Sequence, residues 1–362
     1  MIQVLSESGE TEVSSDRSGL WFTPAEIERT IGWSLKPEGL CRGDVCVSLP
    51  PEARRGERID AEAVWRKLGN PVLHDESRDT WVLGAGAGDR NDRLAGLIAP
   101  DFTLPDFDGN PHRLSDLRGT KVFLSTWASW CGCRFDLPVW QNLYASLRGH
   151  KFMVVSVAEE TRGAEHARRW VEQAKAEYWC LVDTDHRVAD LYGMVNVPQC
   201  VWIDEQGRIV RPPEATGSTD HFRRMDRATR TMAPEDRAER DAARQFYLDA
   251  VRDWVLSGKH ALPRDTARAK LPRITEEVAL AHAHFRLGTW LCRHGNTEEG
   301  DRHLAEAIRL HPQSWNMFRQ AADLREVGLA SGPEFWERVL SLGDRHYYSP
   351  PEIEGFPQEV VR

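Results

Sequence analysis

The chain has 362 residues, a length typical of about two or three domains. Apolar residues make up 41% of it, which supports a sizeable core and excludes wholesale disorder. The 47 lysine and arginine residues against 56 aspartate and glutamate residues give a formal charge of −9. Because phosphate binding needs a basic surface, this balance argues against nucleic acid as a main partner.

Targeting signals and cysteine usage predict the compartment. No run approaches the roughly 18 apolar residues of a membrane span, and the N-terminal sequence lacks the basic and apolar regions of a secretory signal. We therefore expect a cytoplasmic location and no membrane partner. The 7 cysteines are an odd number in a long chain, which does not indicate the disulfide framework of a small secreted domain.

The N-terminal quarter predicts a leader and a small folded unit. Residues 1–18 are polar, and we expect a flexible leader there. Residues 19–85 predict a small α+β domain of unknown role, in which Thr23 and Asp60 are the N-caps of two helices. Residues 85–97 are rich in Gly and Asp and predict a connector.

The central region, residues 98–225, alternates strand and helix signals. Apolar runs at 121–127 and 151–158 predict buried strands, and a helix is expected from about Cys133. This alternation is typical of an α/β domain with helices on both faces of a central sheet. Residues 211–238 are mixed in charge and predict a linker, or a helix without a strong apolar face.

The C-terminal region, residues 239–345, is helical in pattern. Within it, small and apolar residues over 281–314 follow the spacing of a helix–turn–helix unit of about 34 residues. This stretch resembles a tetratricopeptide repeat. The resemblance implies an all-α repeat domain whose concave surface binds a protein partner. Residues 346–362 predict an irregular tail.

The sharpest chemical signal is WASWCGCRFDLP, Trp127–Pro138. It lies where a buried strand is expected to meet a helix, and free N–H groups at a helix N-terminus favour a thiolate. Trp130 would shield one side of Cys131, and Arg134 would add positive charge. Together these features predict that Cys131 is an attacking thiol, in a helix that Pro138 kinks.

Residues 98–217 resemble the thioredoxin-fold redoxins of the TlpA/ResA type. The resemblance lies in APDFTLPDFDGNPHRLSDLRGTKVFLSTWASWC and in VNVPQCVWIDEQGRIV. It implies a thioredoxin-like fold and thiol–disulfide oxidoreductase activity, with no cofactor. On this resemblance Cys131 attacks, Cys133 resolves the mixed disulfide, and Pro198 is a cis-proline that faces the cysteines and shapes the substrate groove.

The motif Cys131-Gly132-Cys133 is one residue shorter than the family's Trp-Cys-x-x-Cys. Residues at i and i+2 of a helix project about 200° apart, whereas a disulfide needs its Cβ atoms about 3.8 Å apart. Closing the pair therefore requires a distorted first turn, which Gly132 would permit. The result would be a strained, readily reduced disulfide. Alternatively, Cys131 acts with a different cysteine.

Three other cysteines are candidate partners of Cys131. Cys200 lies two residues after Pro198, so strand alternation places it on the same face, although a buried apolar role is the commoner one. Cys41 and Cys46 flank a Gly-Asp turn and could face each other across a tight hairpin as a second dithiol. The commoner interpretation is two half-buried cysteines of a small domain.

Acid–base assistance has two candidates. Glu159 and Glu160 directly follow the second predicted strand and resemble the position of a glutamate that TlpA/ResA-type proteins place near the site. The alternative is a pair of solvated loop acids.

The leading hypothesis is a cytoplasmic thiol–disulfide oxidoreductase that acts on a protein or a low-molecular-weight thiol or disulfide. A thiol peroxidase of the peroxiredoxin class is less favoured, because the stretch before Cys131 lacks that class's Pro and Thr. A third hypothesis is non-enzymatic: a redox-gated scaffold, or a protein that binds a soft metal through the thiolates of Cys-Gly-Cys. Two cysteines alone do not complete a zinc site, so no metal is expected.

Overall fold

The computed structural model describes residues 1–14 and 19–357. The strands are β1 Ile2–Ser6, β2 Gly9–Val13, β3 Trp21–Phe22, β4 Ser34–Lys36, β5 Gly39–Arg42, β6 Val45–Val47, β7 Arg54–Arg55, β8 Arg58–Asp60, β9 Val72–His74, β10 Thr80–Leu83, β11 Thr103–Pro105, β12 Pro111–Arg113, β13 Lys121–Trp127, β14 Phe152–Glu159, β15 Trp179–Asp183, β16 Gln199–Ile203 and β17 Ile209–Ala215. The α-helices are α1 Pro24–Ile31, α2 Ala61–Lys67, α3 Ala87–Ala95, α4 Leu137–Ser146, α5 Glu165–Ala174, α6 Arg187–Tyr192, α7 Pro234–Ser257, α8 Arg264–Ala269, α9 Glu276–Arg293, α10 Thr297–Leu310, α11 Trp315–Arg325 and α12 Pro333–Leu340.

The chain divides into two compact units, each built from two segments. The first unit comprises Met1–Asp92 and Ile274–Gln313, and the second comprises Arg93–Arg273 and Ser314–Arg362. The region 239–345, for which the sequence predicts one helical domain, is therefore shared between the two units. Within the described ranges, no helix is long and apolar enough to cross a membrane.

The first unit contains a four-stranded sheet in the order β2-β1-β10-β9. Strand β1 pairs parallel with β10 and antiparallel with β2. Ile2, Val4 and Val13 are buried in the same cluster as Trp81, because alternate residues of a strand face the core. The prediction of a flexible leader is therefore wrong for β1 and β2, while residues 15–18 lie outside the described residues.

The predicted caps of the first unit are confirmed. Thr23 accepts a hydrogen bond from the Glu26 N–H at 3.3 Å, and Glu26 accepts one from the Thr23 N–H at 2.8 Å, so α1 begins with a capping box. Asp60 accepts from the Ala63 N–H at 3.0 Å at the start of α2.

The predicted connector at 85–97 is a helix. Helix α3 occupies Ala87–Ala95, with Ala87 and Leu94 buried. These two positions lie seven residues apart, which places them on one face of a helix. The prediction is wrong because charged residues between them, such as Asp89, which pairs with Arg42 at 3.2 Å, conceal that spacing.

Helices α9 and α10 form the helix–turn–helix expected from 281–314. Gly288 and Gly300 let the helices approach closely, since a Cβ at Gly288 would lie 2.9 Å from the Gly300 carbonyl oxygen. Leu287 of α9 is buried in one cluster with Leu5 of the sheet. The pair thus packs on the sheet of the first unit, and both the tetratricopeptide resemblance and the partner binding that it implies stay predictions.

The second unit has a five-stranded sheet in the order β15-β14-β13-β16-β17. Strands β13, β14 and β15 run parallel, and β16 and β17 are antiparallel to their neighbours. The sheet is preceded by the antiparallel hairpin β11–β12. This architecture agrees with the predicted α/β class.

Both faces of this sheet are covered by helices. Phe123 of β13 belongs to a buried cluster with Trp140 of α4. Its neighbour Leu124 belongs to a second cluster, with Tyr192 of α6. Since successive side chains of a strand point to opposite faces, α4 and α6 lie on opposite sides of the sheet.

The predicted linker 211–238 is largely structured. Arg211 lies in β17 and is buried, and its guanidinium donates to both carboxylate oxygens of Glu214 at 2.7 and 2.8 Å. The buried Asp220 accepts from the N–H groups of Tyr347 and Tyr348, at 2.8 Å each. A charged sequence suggests a linker, but here Arg211 and Asp220 are bonded inside the fold. The described part of the predicted tail, 346–357, is without helix or strand but packs through buried side chains such as Tyr347.

Candidate redox site

The two motif cysteines lie in a short 3-10 turn rather than in an α-helix. Cys131 follows the end of β13 and caps the turn Gly132–Asp136, and α4 begins only at Leu137. Pro138 therefore sits in the first turn of α4, where its missing N–H costs no hydrogen bond. The predicted helix start at Cys133 and the predicted kink at Pro138 are both wrong for this reason.

Both cysteines are free thiols and are almost fully buried. Cys131 is 2% exposed and Cys133 is 5% exposed. The Cys133 N–H donates to the Cys131 Sγ at 3.4 Å, and the Cys131 thiol donates to the Val197 carbonyl oxygen at 3.5 Å. Gly132 does not adopt a left-handed conformation, and a Cβ there would meet nothing within 4 Å. The reduced turn therefore makes no use of the freedom of glycine.

The environment shifts the pKa values of the two thiols in opposite directions. Burial by itself raises the pKa of Cys131, but hydrogen bonding from Cys133 and the positive charge of Arg319 lower it from 9.0 to about 6. Burial and the neighbouring Cys131 raise the pKa of Cys133 well above 9.0. At neutral pH the first cysteine is thus a thiolate, which no longer donates to the Val197 carbonyl oxygen, and the second is a thiol. This difference suits an attacking and a resolving residue.

The Val197–Pro198 peptide bond is cis, in agreement with the resemblance. The carbonyl oxygen of Val197, which accepts from Cys131, also accepts from the Tyr348 hydroxyl at 3.1 Å. This loop and the cysteine turn therefore meet, and the described end of the chain contacts both.

Trp130 is held from the C-terminal part of the second unit. Its indole N–H donates to the Gln320 side-chain oxygen at 3.2 Å. Its carbonyl oxygen accepts from Arg319 at 3.2 Å and from Ser331 at 3.3 Å. Helix α11 thus fixes the position of Trp130, and the shielding of Cys131 by Trp130 stays a prediction.

Glu159 ends β14 and is completely buried, so it is not a solvated loop acid. Its carboxylate lies 3.3 Å from the Nδ1 of the buried His186. Burial, with further contributions from Asp183 and Cys131, raises the pKa of Glu159 despite His186. Burial lowers the pKa of His186, but Glu159 outweighs it, and the net direction is upward. The two form a buried acid–base pair, of which Glu159 interacts electrostatically with Cys131.

Glu160, which follows β14, is also buried and binds the segment that precedes Cys131. Its carboxylate accepts a hydrogen bond from the Ser129 N–H. Burial raises the pKa of Glu160 from 4.5 to about 7, although this hydrogen bond opposes the shift. Both predicted acids thus lie at the site, but they have different partners.

The three other candidate cysteines have partners of their own. Cys200 lies in β16, and its Sγ is 2.9 Å from the Tyr247 hydroxyl, which fits the buried apolar role better than an exchange partner. Cys41 and Cys46 are opposed across strands β5 and β6 of the first unit and are joined by a disulfide. The exchange of this pair with Cys131 stays a prediction.

Sequence reasoning missed His186, Arg319 and Gln320. His186 follows β15, and residues at the carboxyl ends of neighbouring parallel strands converge, so its position relative to Glu159 was open to prediction. Gln320 also faces the His186 Nε2 at 3.2 Å. In the described ranges, the single group of three potential metal ligands within 4.8 Å of one another is His221, Asp236 and Glu239, which includes no cysteine.

Comparison with known proteins finds similarity in the central region of the chain. Residues 95–211 match the model of the AhpC/TSA family. This part of the chain is a thioredoxin-like domain. The match, which covers about a third of the chain, and the sheet order confirm the predicted fold of this region.

Two bacterial thiol-disulfide oxidoreductases are similar to part of this chain. The thiol-disulfide oxidoreductase ResA of Geobacillus thermodenitrificans is 32% identical over 117 residues, which are 32% of this chain and 66% of the relative. ResA of Bacillus subtilis is 31% identical over 118 residues, 32% of this chain and 65% of the relative. The chain thus spans just under two thirds of the length of these relatives, and the resemblance to ResA is confirmed for this part of the chain only.

Solved structures of similar proteins cover the same domain. The thioredoxin domain of a thiol-disulfide oxidoreductase from Bacteroides vulgatus has 27% identity and a TM-score of 0.31, and covers 33% of this chain and 86% of its own. A thiol:disulfide interchange protein from Bacteroides sp. has 22% identity and a TM-score of 0.33, and covers 45% of this chain and 91% of its own.

Proposed function

We propose that the protein is a thiol–disulfide oxidoreductase in which Cys131 attacks and Cys133 resolves. The observation that carries this proposal is the opposite effect of the site on two adjacent thiols, which lowers the pKa of Cys131 to about 6 and raises that of Cys133. A thiolate is the nucleophile in disulfide exchange, and a protonated neighbour is held back until the mixed disulfide forms.

The reaction balances with a disulfide substrate alone. The Cys131 thiolate attacks one sulfur of the substrate, an S–S bond breaks, and the first substrate thiolate leaves. Cys133 loses its proton and attacks the Cys131 sulfur, which releases the second substrate thiolate and forms the Cys131–Cys133 disulfide. The substrate gains two electrons and the protein loses two, and a thiol reductant restores the dithiol.

Glu159 is the candidate acceptor of the Cys133 proton. It is buried, its pKa is raised, and it interacts with Cys131. A carboxyl group whose pKa lies nearer neutral pH exchanges a proton more readily at that pH. We expect Glu159→Gln to slow the resolving step and to remove one limb of its pH profile, with the Cys131 alkylation rate little changed.

The substrate is a protein or a low-molecular-weight disulfide. With 2% of Cys131 exposed, a small disulfide reaches the sulfur with less rearrangement than a folded protein does. We also propose that the helix pair α9–α10 binds a protein partner. We propose a cytoplasmic location for the protein.

Insulin reduction and exchange with a small aromatic disulfide test this proposal in the full chain. We expect Cys131→Ser to abolish both activities, and Cys133→Ser to accumulate a mixed disulfide at Cys131, which peptide mass spectrometry identifies. Cys292→Ser is the matched control, since Cys292 is a free cysteine of the first unit. Full activity of Cys131→Ser would sink the proposal.

A thiol peroxidase is the second candidate, favoured by one observation. Cys131 is 2% exposed, and a small oxidant such as hydrogen peroxide needs less rearrangement to reach a buried thiolate than a disulfide substrate does. Peroxide consumption with a thiol reductant discriminates the two. Turnover of peroxide faster than of every disulfide tested would move this function to the front.

A further inference from the structure

Arg319 is a buried cation that reaches the redox site from a distant part of the sequence. It lies on α11 and is 4% exposed. Its Nε donates to the Ala330 carbonyl oxygen at 2.9 Å, and its Nη1 donates to the Tyr347 hydroxyl at 3.2 Å. Its Nη2 donates to the Trp130 carbonyl oxygen and the Ser331 hydroxyl, at 3.2 Å each. The guanidinium is thus fixed beside the residue that precedes Cys131.

The guanidinium is also enclosed by aromatic rings. Its central carbon lies 4.6 Å from the ring centre of Trp130 and 4.5 Å from that of Phe335. Aromatic faces attract a cation, but they do not neutralise it. A buried charge remains costly unless an anion is near.

Carboxylates do not supply that anion. All four oxygens that accept from Arg319 are neutral, and none of the ion pairs between described residues includes Arg319. Asp323 of the same helix is paired with Arg162 at 3.2 Å. Asp136 of the cysteine turn is paired with Arg244 at 2.5 Å.

The anion that fits is the sulfur of Cys131. Arg319 binds the carbonyl oxygen of the residue directly before it, and the electrostatic influence runs both ways. Burial raises the pKa of Cys131, whereas Cys133 and Arg319 lower it. Burial lowers the pKa of Arg319, whereas Tyr347 and Cys131 raise it.

We propose that Arg319 is the counter-ion of the Cys131 thiolate, so that helix α11, in the segment from Ser314 to Tyr348, forms part of the redox site. The inference rests on the proposed function insofar as it concerns the same thiol. It goes beyond that function because Arg319 belongs to helix α11, outside both the cysteine turn and the cis-proline loop. Arg319 acts as a positioning residue that keeps Cys131 ionised at neutral pH.

Other groups also face Cys131 and contribute to its titration. They come from the cysteine turn, from β14 and from the C-terminal segment: Cys133, Arg134, Glu159, Tyr347 and Tyr348. Of these, Arg134 is the second cation. It donates to the Cys131 carbonyl oxygen at 2.7 Å and lies over the ring of Trp170 at 4.8 Å. The test must therefore separate the two arginines.

The experiment measures the pH midpoint of Cys131 alkylation in the reduced full chain. Iodoacetamide modification is quantified at the Cys131 peptide, and thiolate absorbance against Cys131→Ser gives an independent midpoint. The wild type should titrate near pH 6. Arg319→Met should raise the midpoint by about 1 to 3 pH units, the usual effect of one close opposite charge. At pH 7 a shift of about two units lowers the alkylation rate roughly tenfold.

Three further variants control for packing and charge. Arg319→Lys keeps the charge and should restore much of the low midpoint. Arg134→Met should shift it less than Arg319→Met does. Arg338→Met is the matched control, because Arg338 lies in the same segment over the rings of Trp315 and Phe318, at 4.8 and 4.4 Å, and should leave the midpoint unchanged. If Arg319→Met does not fold, Arg319→Gln, which keeps amide donors, replaces it.

An unchanged midpoint in the neutral Arg319 variant, or an equal shift in Arg134→Met or Arg338→Met, would overturn the proposal. Failure of the proposed function is distinguishable from this. If Cys131→Ser keeps full disulfide exchange, the oxidoreductase assignment fails, while the alkylation midpoints still decide the role of Arg319.

Discussion

The raised pKa of Glu160 allows a quantitative test of how burial of this carboxyl affects the free energy of unfolding. We consider Glu160→Gln, which removes the charge but keeps an oxygen that can accept from the Ser129 N–H. The pKa of Glu160 is raised from 4.5 to about 7, chiefly by burial. The folded state therefore binds a proton more tightly than the unfolded state does, so this group favours folding at low pH. That contribution is lost as the pH rises through the folded-state pKa.

The size of the effect follows from these two values. Each unit of difference between folded and unfolded pKa corresponds to about 1.4 kcal/mol. Between pH 5 and pH 8, ionisation of Glu160 should therefore lower the free energy of unfolding by about 2 to 3 kcal/mol. Glutamine has no such charge. The variant should match the wild type near pH 5 and exceed its stability at pH 8.

The assay is urea unfolding of the reduced full chain at several pH values, followed by tryptophan fluorescence. The quantity of interest is the difference between variant and wild type at each pH, in which other titrating groups cancel. Glu172→Gln, an exposed position on α5, is the matched control and should give a flat difference. If the free energy of unfolding changes with pH in the same way for Glu160→Gln and the wild type, then an ionisable carboxyl is not buried at this position.

Three further predictions concern the rest of the fold. Thr23→Ala removes the capping box of α1 and should cost about 1 kcal/mol in urea unfolding; no loss would mean that the cap is not formed. Tyr247→Phe removes a hydroxyl that bonds Cys200, Trp202 and Glu214 and should cost about 1 to 3 kcal/mol by the same measurement; an unchanged midpoint would contradict this network. Gly132→Ala should leave the reduced protein as stable as the wild type, because its Cβ meets nothing within 4 Å, yet it should slow disulfide formation in glutathione buffers if oxidation distorts the turn. Destabilisation of the reduced form by more than about 1 kcal/mol would show that glycine is needed there.

The central domain could be predicted from sequence because its signals are local. A continuous apolar run identifies β13 as a buried strand, and Phe123 and Leu124 face opposite sides of the sheet. The cysteine motif directly follows that strand, so its place at the strand end required no long-range information. The same holds for Pro198, because the resemblance of the short sequence around it to the TlpA/ResA type implies the cis peptide bond that the structure has.

The charges around Cys131 could be predicted only in part, because they come from distant segments. Glu159 lies at the end of a recognisable strand, whereas Arg319 lies more than a hundred residues further on. One local signal did exist. Trp315, Phe318 and Ala322 follow the i, i+3, i+7 spacing of an apolar helix face, and Arg319 occupies the i+4 position of the same face. An arginine on an apolar stripe indicates a buried charge that needs a partner, although the stripe does not reveal which one.

The lack of long-range information also explains why the sequence predicts a single helical domain for the C-terminal region. Gly288 and Gly300 correctly indicated that α9 and α10 pack closely, since only small residues permit that approach. Amphipathic helices, however, carry information about which face is buried and none about what buries it. Leu287 packs in a cluster with Leu5, and Trp315 packs with Tyr347. In the sequence, however, Leu287 and Trp315 are ordinary apolar positions of amphipathic helices. The contribution of Arg319 to the proposed redox site can therefore be recognised from the structure, whereas the sequence of α11 does not indicate it.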